Sequence, residues 1–123
     1  MTSSAPTPAV IDPAALPPVV RSFLTVHVAR DVDAALRAYT DDAVVVDEGA
    51  TYRGSDEIAA WMRRSTSEWT YTTELTGARR IDADRWIAVH HLAGNFPGGV
   101  ADLDFRFTLR GNRIAALTIT PSA

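Results

Sequence analysis

Two acidic residues, Asp47 and Glu48, follow directly after a run of three valines at positions 44–46. A strand that is apolar on both faces is buried on both faces, so an acid at its end requires a partner or a cavity. Because side chains alternate along a strand, only one of the two acids can face inward. We expect this to be Asp47, which could act as a general base, while Glu48 faces solvent. The structural alternative is that Asp47 tightens the turn into Gly49 or pairs with Arg53.

Three histidines could exchange protons with such a base. His27 lies one turn beyond Phe23 on the predicted inner face of the first helix, where it could act as acid, base or orienting partner. Its alternative role is a core histidine with one hydrogen bond. His90 and His91 are adjacent on a predicted strand; hairpin alignment favours an inward His90, and a one-residue slip would reverse this. An inward His90 would form an acid–base pair with Asp47, or else belong to the sheet face or a dimer interface.

The composition argues against several other kinds of chemistry. The chain contains no cysteine, and all twelve basic residues are arginine, so neither a thiolate nor a lysine Schiff base is available. The three histidines lack the convergent spacing of a zinc site. The glycines of the FPGG segment at positions 96–99 belong to a predicted hairpin and do not precede a helix, as a phosphate-binding loop would require. We therefore predict neither a metal nor a cofactor.

Length and charge predict a single soluble domain. The 123 residues carry a net charge of −3, which gives no nucleic-acid-binding footprint. No apolar run approaches the roughly 20 residues of a membrane helix. Because the N-terminus lacks a basic region followed by an apolar segment, we expect no signal peptide and a cytoplasmic location.

The elements that must position these side chains are three helical segments followed by consecutive strands. Residues 1–12 are rich in Ser, Thr, Pro and Ala and are predicted to be a flexible tail before a single domain at 13–123. The helices are expected at about 18–30, from a cap at Asp31 to Tyr39, and from a cap at Ser55. Strands are expected at 43–47, 70–80, 85–93, 100–109 and 113–120, with a loop at 49–54. This order predicts an α+β domain with a mostly antiparallel sheet.

The segment 100–109 alternates most clearly. One face carries Leu103, Phe105, Phe107 and Leu109, and the other carries Asp102, Asp104, Arg106, Thr108 and Arg110. One face should pack on the helices while the other meets water or a second subunit. With Thr72 and Glu74 on a neighbouring strand, the polar face is the predicted interface of a homodimer.

The order of elements and several motifs resemble the nuclear transport factor 2-like superfamily, and its SnoaL-like proteins in particular. The motifs, within residues 16–121, are DVDAALRAYTDDAVVVDEG, YRGSDEIAAWMRR, FPGG and FRFTLRGNRIAAL. The resemblance implies a cystatin-like fold, in which a strongly curved sheet wraps as a cone around three helices and encloses a pocket. The superfamily includes ketosteroid isomerase, polyketide cyclases, scytalone dehydratase, limonene epoxide hydrolase and non-catalytic modules, so the fold does not give the reaction.

The resemblance to ketosteroid isomerase can be carried over residue by residue. The general-base aspartate of that enzyme falls on Asp47, and a pocket tyrosine falls on Tyr39. The tyrosine that donates to the oxyanion falls on Phe23, and the protonated acid beside it falls on Phe105. Because a developing enolate would lose both donors, we expect no steroid isomerisation.

Two functions remain open. The first is a cofactor-independent acid–base enzyme for a small apolar carbonyl compound or epoxide, as an isomerase, cyclase, dehydratase or epoxide hydrolase. In this enzyme Asp47 is the base, His90 and His27 are proton partners, and Tyr39 is a hydrogen-bond donor. The second is a module of the same fold that binds a ligand or dimerises without chemistry. In either case the predicted pocket wall is aromatic and consists of Phe23, Trp61, Trp86, Phe96, Phe105 and Phe107, with Trp69 and Tyr71 nearby.

Overall fold

The computed structural model describes residues 8–68 and 70–122 of the chain, and for residues 65–68 it describes the backbone alone. Residues 1–7, Trp69 and Ala123 lie outside the described part. The strands are β1 (Ala9–Ile11), β2 (Tyr39–Asp47), β3 (Ala50–Arg53), β4 (Tyr71–Arg80), β5 (Arg85–Gly94), β6 (Val100–Arg110) and β7 (Arg113–Pro121). The helices are α1 (Pro18–Val28), α2 (Val32–Leu36) and α3 (Gly54–Glu68), with a short 3-10 helix at Pro13–Ala15.

The described strands form one curved sheet in the order β1-β4-β5-β6-β7-β2-β3. Every neighbouring pair is antiparallel except β2 and β7, which run parallel. The predicted fold class, an α+β domain with a mostly antiparallel curved sheet and three helices, is confirmed.

The helices bury the faces that their apolar spacing predicts. On α3, Ile58, Trp61 and Met62 are all almost completely buried, as expected for an amphipathic helix on a sheet. On α1, Val20, Phe23 and Leu24 are buried against the same core, which includes Phe105, Phe107 and Leu117 from the sheet. The predicted cap of α2 is also confirmed, because the Asp31 carboxylate accepts a hydrogen bond from the Ala34 N–H at 3.1 Å.

The predicted flexible tail is wrong at its C-terminal end. Residues Ala9–Ile11 form β1, which pairs antiparallel with β4 through Ala9 opposite Arg80 and Ile11 opposite Ala78. Ile11 also packs against the core. A three-residue strand is too short to show the alternation from which strands are recognised, and its stability depends on the edge of β4 that it covers.

The segment between the second and third helices also differs from the prediction. Tyr39 begins β2 and does not end a helix, and the expected loop at 49–54 contains β3, which pairs with the end of β2. Glu48 and Gly49 connect the two strands with φ values of 53° and 78°, as in a two-residue hairpin turn of the primed type. The third helix starts at Gly54, so Ser55 is not its cap; instead the Glu57 carboxylate reaches back to the Arg53 N–H at 3.0 Å.

The two faces of β6 follow the predicted alternation with one exception. Asp104 lies on the outer face but is only 5% exposed, and its carboxylate accepts a hydrogen bond from the Ser122 hydroxyl at 2.7 Å. The Arg106 guanidinium lies 3.8 Å from its other oxygen. Burial of this acid is therefore compensated by the C-terminal segment, which the alternation of a single strand cannot indicate.

Candidate functional site

Two adjoining cavities open between the helices and the concave face of the sheet. The larger has a volume of about 570 Å³, and its wall includes Asp47 and Trp61. The smaller has a volume of about 300 Å³, and its wall includes His90 and Arg30. Four residues line both: His27, Tyr71, Leu92 and Phe105. The two cavities therefore share a short stretch of wall. Of the residues in it, His27 has the side chain most often used for acid–base catalysis.

Asp47 lies at the end of β2, half-buried, where it lines the larger cavity. Its carboxylate oxygen Oδ2 accepts a hydrogen bond from the Trp61 indole Nε1 at 3.0 Å. Asp47 therefore bonds to the Trp61 indole and not to Arg53, the partner considered in the structural alternative. Glu48, the other acid, is exposed at the hairpin turn but also contributes to the wall of this cavity.

His90 faces the interior and His91 faces outward. His90 is 3% exposed, and its ring centroid lies 4.6 Å from that of Phe105. Its Nδ1 atom is buried without a hydrogen-bond partner among the described residues. Burial lowers the pKa of His90 to about 4, so this imidazole is neutral at physiological pH. His91 instead forms a contact of 2.7 Å between its Nδ1 and the exposed Asp102 carboxylate.

His27 lies in the last turn of α1, between two aromatic rings. Its ring stacks on Phe23 at 5.4 Å and on Trp61 at 6.2 Å between centroids. Its Nδ1 is also buried and has no hydrogen-bond partner within residues 8–68 and 70–122, unlike the satisfied core histidine that was the alternative. Burial, with a smaller contribution from nearby His90, lowers the pKa of His27 to about 4. Each neutral imidazole retains one N–H donor and one acceptor nitrogen.

The predicted direct pair of Asp47 and His90 is not formed. Asp47 lines only the larger cavity and His90 lines only the smaller one. Between them the contacts run from Asp47 to the Trp61 indole, from Trp61 to His27, and from His27 to Phe105, whose ring contacts His90. The Asp47 carboxylate and two neutral imidazoles thus line two adjoining cavities that share four wall residues, with aromatic rings between them.

Several residues predicted for the pocket belong to the core. Phe23 and Phe107 are essentially fully buried and line neither cavity. The Arg80 guanidinium lies over the Trp86 ring, 4.9 Å from the ring centroid, and Trp86 also lines neither cavity. Tyr39 is buried with its ring edge on Phe23, its hydroxyl has no partner among the described residues, and burial raises its pKa. By contrast, the cavities do include Trp61, Phe96 and Phe105.

The register of the sheet explains this division. Trp86, Phe107, Leu117 and Val45 are aligned across four strands in one row. The next row toward the open end of the hollow aligns Ala88, Phe105, Ile119 and Asp47, and the row beyond it contains His90 and Leu103. All three rows face inward, but the first belongs to the core, where Phe23 of α1 packs on Phe107, and the cavities begin at the second. Alternation identifies the side chains that face inward, but it does not indicate at which point along the strands the packed core ends and a cavity begins.

Sequence reasoning missed several residues of the cavity walls, among them three with polar side chains. Arg30 lines the smaller cavity, and Tyr52 and Arg64 line the larger. The Arg64 guanidinium donates a hydrogen bond to the Tyr52 hydroxyl at 2.9 Å and lies over the same ring. Tyr52 belongs to the unpredicted strand β3, and recognition of the turn at Glu48 and Gly49 would have placed it beside Asp47.

The described residues contain no group of three or more His, Asp or Glu side chains that could hold a metal ion. Nor does any helix in the part of the chain that the structure describes have the length and apolar character needed to cross a membrane.

Solved structures resemble this architecture closely. A candidate polyketide cyclase from Sinorhizobium meliloti superimposes with a TM-score of 0.82 at 30% sequence identity, over 89% of this chain and 100% of that one. A protein with a ketosteroid isomerase-like fold from Catenulispora acidiphila gives a TM-score of 0.75 at 20% identity, over 86% of each chain. A Mycobacterium tuberculosis protein in complex with estradiol-17beta-hemisuccinate gives 0.69 at 15% identity, over 85% of this chain and 90% of that one. The last two, at these identities, show the fold alone.

No protein with a curated description matches the chain significantly in sequence. The sequence profile of the SnoaL-like domain family, however, matches residues 20–117, which is most of the chain. Together with the curved sheet and the three helices, this match shows that the chain belongs to the SnoaL-like domain family of the nuclear transport factor 2-like fold.

Proposed function

We propose that the protein binds a small, largely apolar molecule and transfers a proton within it, without a cofactor. The observation that carries the proposal is the composition of the hollow, in which the Asp47 carboxylate and two neutral imidazoles, each with a buried Nδ1 atom, lie among aromatic rings. Such a site combines an apolar environment with a few polar groups, which is typical of small-molecule sites. The similarity to a candidate polyketide cyclase supports a carbonyl compound as substrate.

Asp47 is the base in this proposal. Its Oδ2 atom is held by the Trp61 N–H, which fixes the carboxylate while leaving Oδ1 for a proton of the substrate. A carboxylate positioned in this way can remove a proton from a carbon next to a carbonyl group, as general bases do. Trp61, Tyr52 and Phe105 in the wall of the same cavity provide apolar surface for the rest of the substrate.

His27 is the primary proton partner, because it contributes to both cavities and stacks on the indole that holds Asp47. With a pKa of about 4 it acts as a neutral hydrogen-bond donor to a developing enolate oxygen rather than as a cation. His90 supplies a second neutral imidazole farther along the hollow. The two imidazoles take the place of the tyrosine and the protonated carboxylic acid that donate to the oxyanion in ketosteroid isomerase. Phe23 and Phe105 occupy the corresponding positions in this chain.

Proton exchange tests this function without the natural substrate. An apolar ketone such as 1-indanone, incubated with the protein in D₂O, should incorporate deuterium next to its carbonyl faster than in buffer, as followed by NMR. Asp47→Asn should lower the protein-dependent rate by a factor of about 10² or more, the usual contribution of a general base. The control Asp102→Asn alters an exposed carboxylate of the outer face and should retain the rate. Equal rates for the wild type and Asp47→Asn would overturn the proposed chemistry.

A second candidate function is binding without catalysis. It is favoured by the position of Tyr39, whose hydroxyl lies in the core and lines neither cavity, and by the two phenylalanines in place of acidic donors. The structure of a similar fold with a bound steroid derivative is compatible with it. Binding of 1-indanone without faster deuterium incorporation would support this function over proton transfer.

We also propose that the outer face of the sheet forms a homodimer. Arg106 is exposed on β6, and Glu74 and Thr72 are exposed on β4, which is separated from β6 by β5. Asp104 contributes less than its sequence position suggests, because it is buried against Ser122. Light scattering after size-exclusion chromatography should give twice the mass of a single chain, and Arg106→Glu should reduce it to one. A monomeric wild type would refute this assembly.

A further inference from the structure

Arg30 occupies a backbone position that usually belongs to glycine. The Asp31 N–H donates to the Val26 carbonyl at 2.9 Å and the Arg30 N–H donates to the His27 carbonyl at 3.0 Å, which is the Schellman pattern at the end of α1. In this pattern the residue after the cap adopts the left-handed conformation, and Arg30 has a φ of 61°. A side chain is unfavourable there relative to glycine, so an arginine at this position suggests a role for its guanidinium.

The Arg30 side chain extends to the entrance of the smaller cavity. Its guanidinium lies over the Tyr71 ring, 5.4 Å from the ring centroid, and both residues line this cavity. Arg30 is itself exposed, so the charge is at the mouth rather than inside. Within the described residues no carboxylate forms an ion pair with it, whereas Arg85, Arg106 and Arg110 each pair with an aspartate.

The interior of the smaller cavity has the opposite character. Leu92 and Phe105 provide apolar surface, and His27 and His90 each present a buried Nδ1 without a hydrogen-bond partner among the described residues. Since a buried polar atom normally has a partner, these nitrogens are suited to a hydrogen-bonding group of a bound molecule. The cavity therefore has a cation at its mouth, two neutral polar groups inside, and an otherwise apolar wall.

The larger cavity differs in charge, because its wall has two carboxylates, Asp47 and Glu48, and one guanidinium, that of Arg64, which also donates to the Tyr52 hydroxyl. Its net charge is therefore negative, and an anionic group is favoured at the Arg30 end. Arginine is also the side chain best suited to a carboxylate, which it can bind through two parallel hydrogen bonds.

We propose that the ligand is an apolar carboxylic acid whose carboxylate binds Arg30 at the mouth of the smaller cavity. Its apolar body then passes His27 and Phe105, so that the opposite end reaches Asp47. This assignment rests on the proposed binding of a small molecule in the hollow and adds its chemical class and its orientation. Arg30 is a specificity-determining residue in this arrangement and takes no part in proton transfer.

A pair of probes that differ only in charge tests the proposal. 2-Naphthoate and 2-naphthamide share one apolar body, and their dissociation constants can be measured by NMR titration of the backbone amides. The wild type should bind the carboxylate at least tenfold more tightly than the amide. Arg30→Gly should abolish this preference while leaving the affinity for the amide unchanged, and Arg30→Lys should retain part of it.

Two controls keep the test independent of folding and of other arginines. Glycine suits the left-handed conformation, so Arg30→Gly is expected to fold at least as stably as the wild type. Arg113→Gln removes an exposed arginine of β7 that lines neither cavity, and it should leave the preference unchanged.

The outcomes separate this inference from the proposed function. Equal affinities of the wild type for the two probes, or a preference that survives Arg30→Gly, would overturn the carboxylate site while leaving a neutral ligand possible. Failure of both probes to bind would overturn the carboxylate site and the apolar pocket together. Loss of deuterium exchange in Asp47→Asn does not bear on Arg30.

Discussion

The indole Nε1 of Trp61 donates a hydrogen bond to Oδ2 of Asp47 at 3.0 Å, and this bond joins the middle of α3 to the end of β2. It connects the hydrophobic core to the site, because Trp61 is almost fully buried while Asp47 lines the larger cavity. A hydrogen bond to a charged acceptor is stronger than one between neutral groups, so this contact orients the carboxylate as well as stabilising the fold.

Trp61→Phe tests that orienting role. The phenyl ring retains most of the packing but removes the donor, and we expect a loss of about 1.5–3 kcal/mol in unfolding free energy, the range for hydrogen bonds to charged groups. In the deuterium-exchange assay the variant should show a lower rate at saturating ketone with a smaller change in the half-saturating concentration. Unfolding in urea and the exchange assay provide the two readouts.

A matched variant distinguishes orientation from packing. Met62→Leu changes a neighbouring core residue of α3 with little change in volume, and it should leave the exchange rate unaltered. If Trp61→Phe exchanges deuterium as fast as the wild type, Asp47 does not depend on the indole for its position.

The buried histidines predict how stability depends on pH. Burial lowers the pKa of His90 from 6.5 to about 4, so the unfolded chain binds more protons than the folded one between these values. Stability contributed by the neutral form is therefore complete above pH 6.5 and is lost as the pH falls toward 4. For one histidine the loss at pH 5 is about 2 kcal/mol.

His90→Gln provides the comparison for this pH effect, because it removes the titrating group while retaining a polar side chain. Urea unfolding at pH 7.5 and pH 5.0 should show a larger loss of stability in the wild type than in the variant. His27 contributes in the same direction, so the wild type should lose more than His90 alone explains. An equal loss in both proteins would mean that His90 is protonated in the folded state.

Two residues with positive φ predict opposite effects on stability. Arg30→Gly should raise the unfolding free energy by about 1 kcal/mol, because glycine adopts the left-handed conformation without the steric penalty. Gly49→Ala should lower it by a similar amount, since Gly49 has a φ of 78° and the added methyl group would meet nothing within 4 Å, which leaves the backbone as the cause. Thermal unfolding of both variants measures these changes. A destabilised Arg30→Gly protein would indicate that the contact with Tyr71 outweighs the backbone effect.

Tyr39→Phe tests whether the Tyr39 hydroxyl takes part in function. The hydroxyl is buried without a hydrogen-bond partner among the described residues and lies outside both cavities. Removing a buried polar group that has no partner should leave stability unchanged or raise it by up to about 1 kcal/mol. We expect full ligand binding and full deuterium exchange, and a decrease of tenfold or more in exchange would restore Tyr39 as a functional donor.

Much of the architecture follows from the sequence alone. The helical spacing of Ile58, Trp61 and Met62 and the alternation of Leu103, Phe105 and Phe107 depend on local geometry, so the inner faces of α3 and β6 were predicted correctly. The family resemblance rested on motifs that are contiguous in the sequence, each covering one element or two consecutive ones, and it identified the fold. Asp47 was recognised as an acid at the end of an apolar strand, which is also a local feature.

The tertiary structure decided which inward residues meet a cavity. Trp86, Phe107 and Val45 share an inward row with the same parity as Asp47 and Phe105, but only the second row contributes to a cavity wall. The separation of Asp47 from His90 by Trp61 and His27 likewise depends on how α1 and α3 cross the sheet. Periodicity specifies which face of the sheet a side chain occupies. It does not specify whether that side chain is covered, because the covering side chains come from elements that are distant in the sequence. The contact between Arg30 and Tyr71 also depends on the tertiary structure, because it joins the end of α1 to the start of β4.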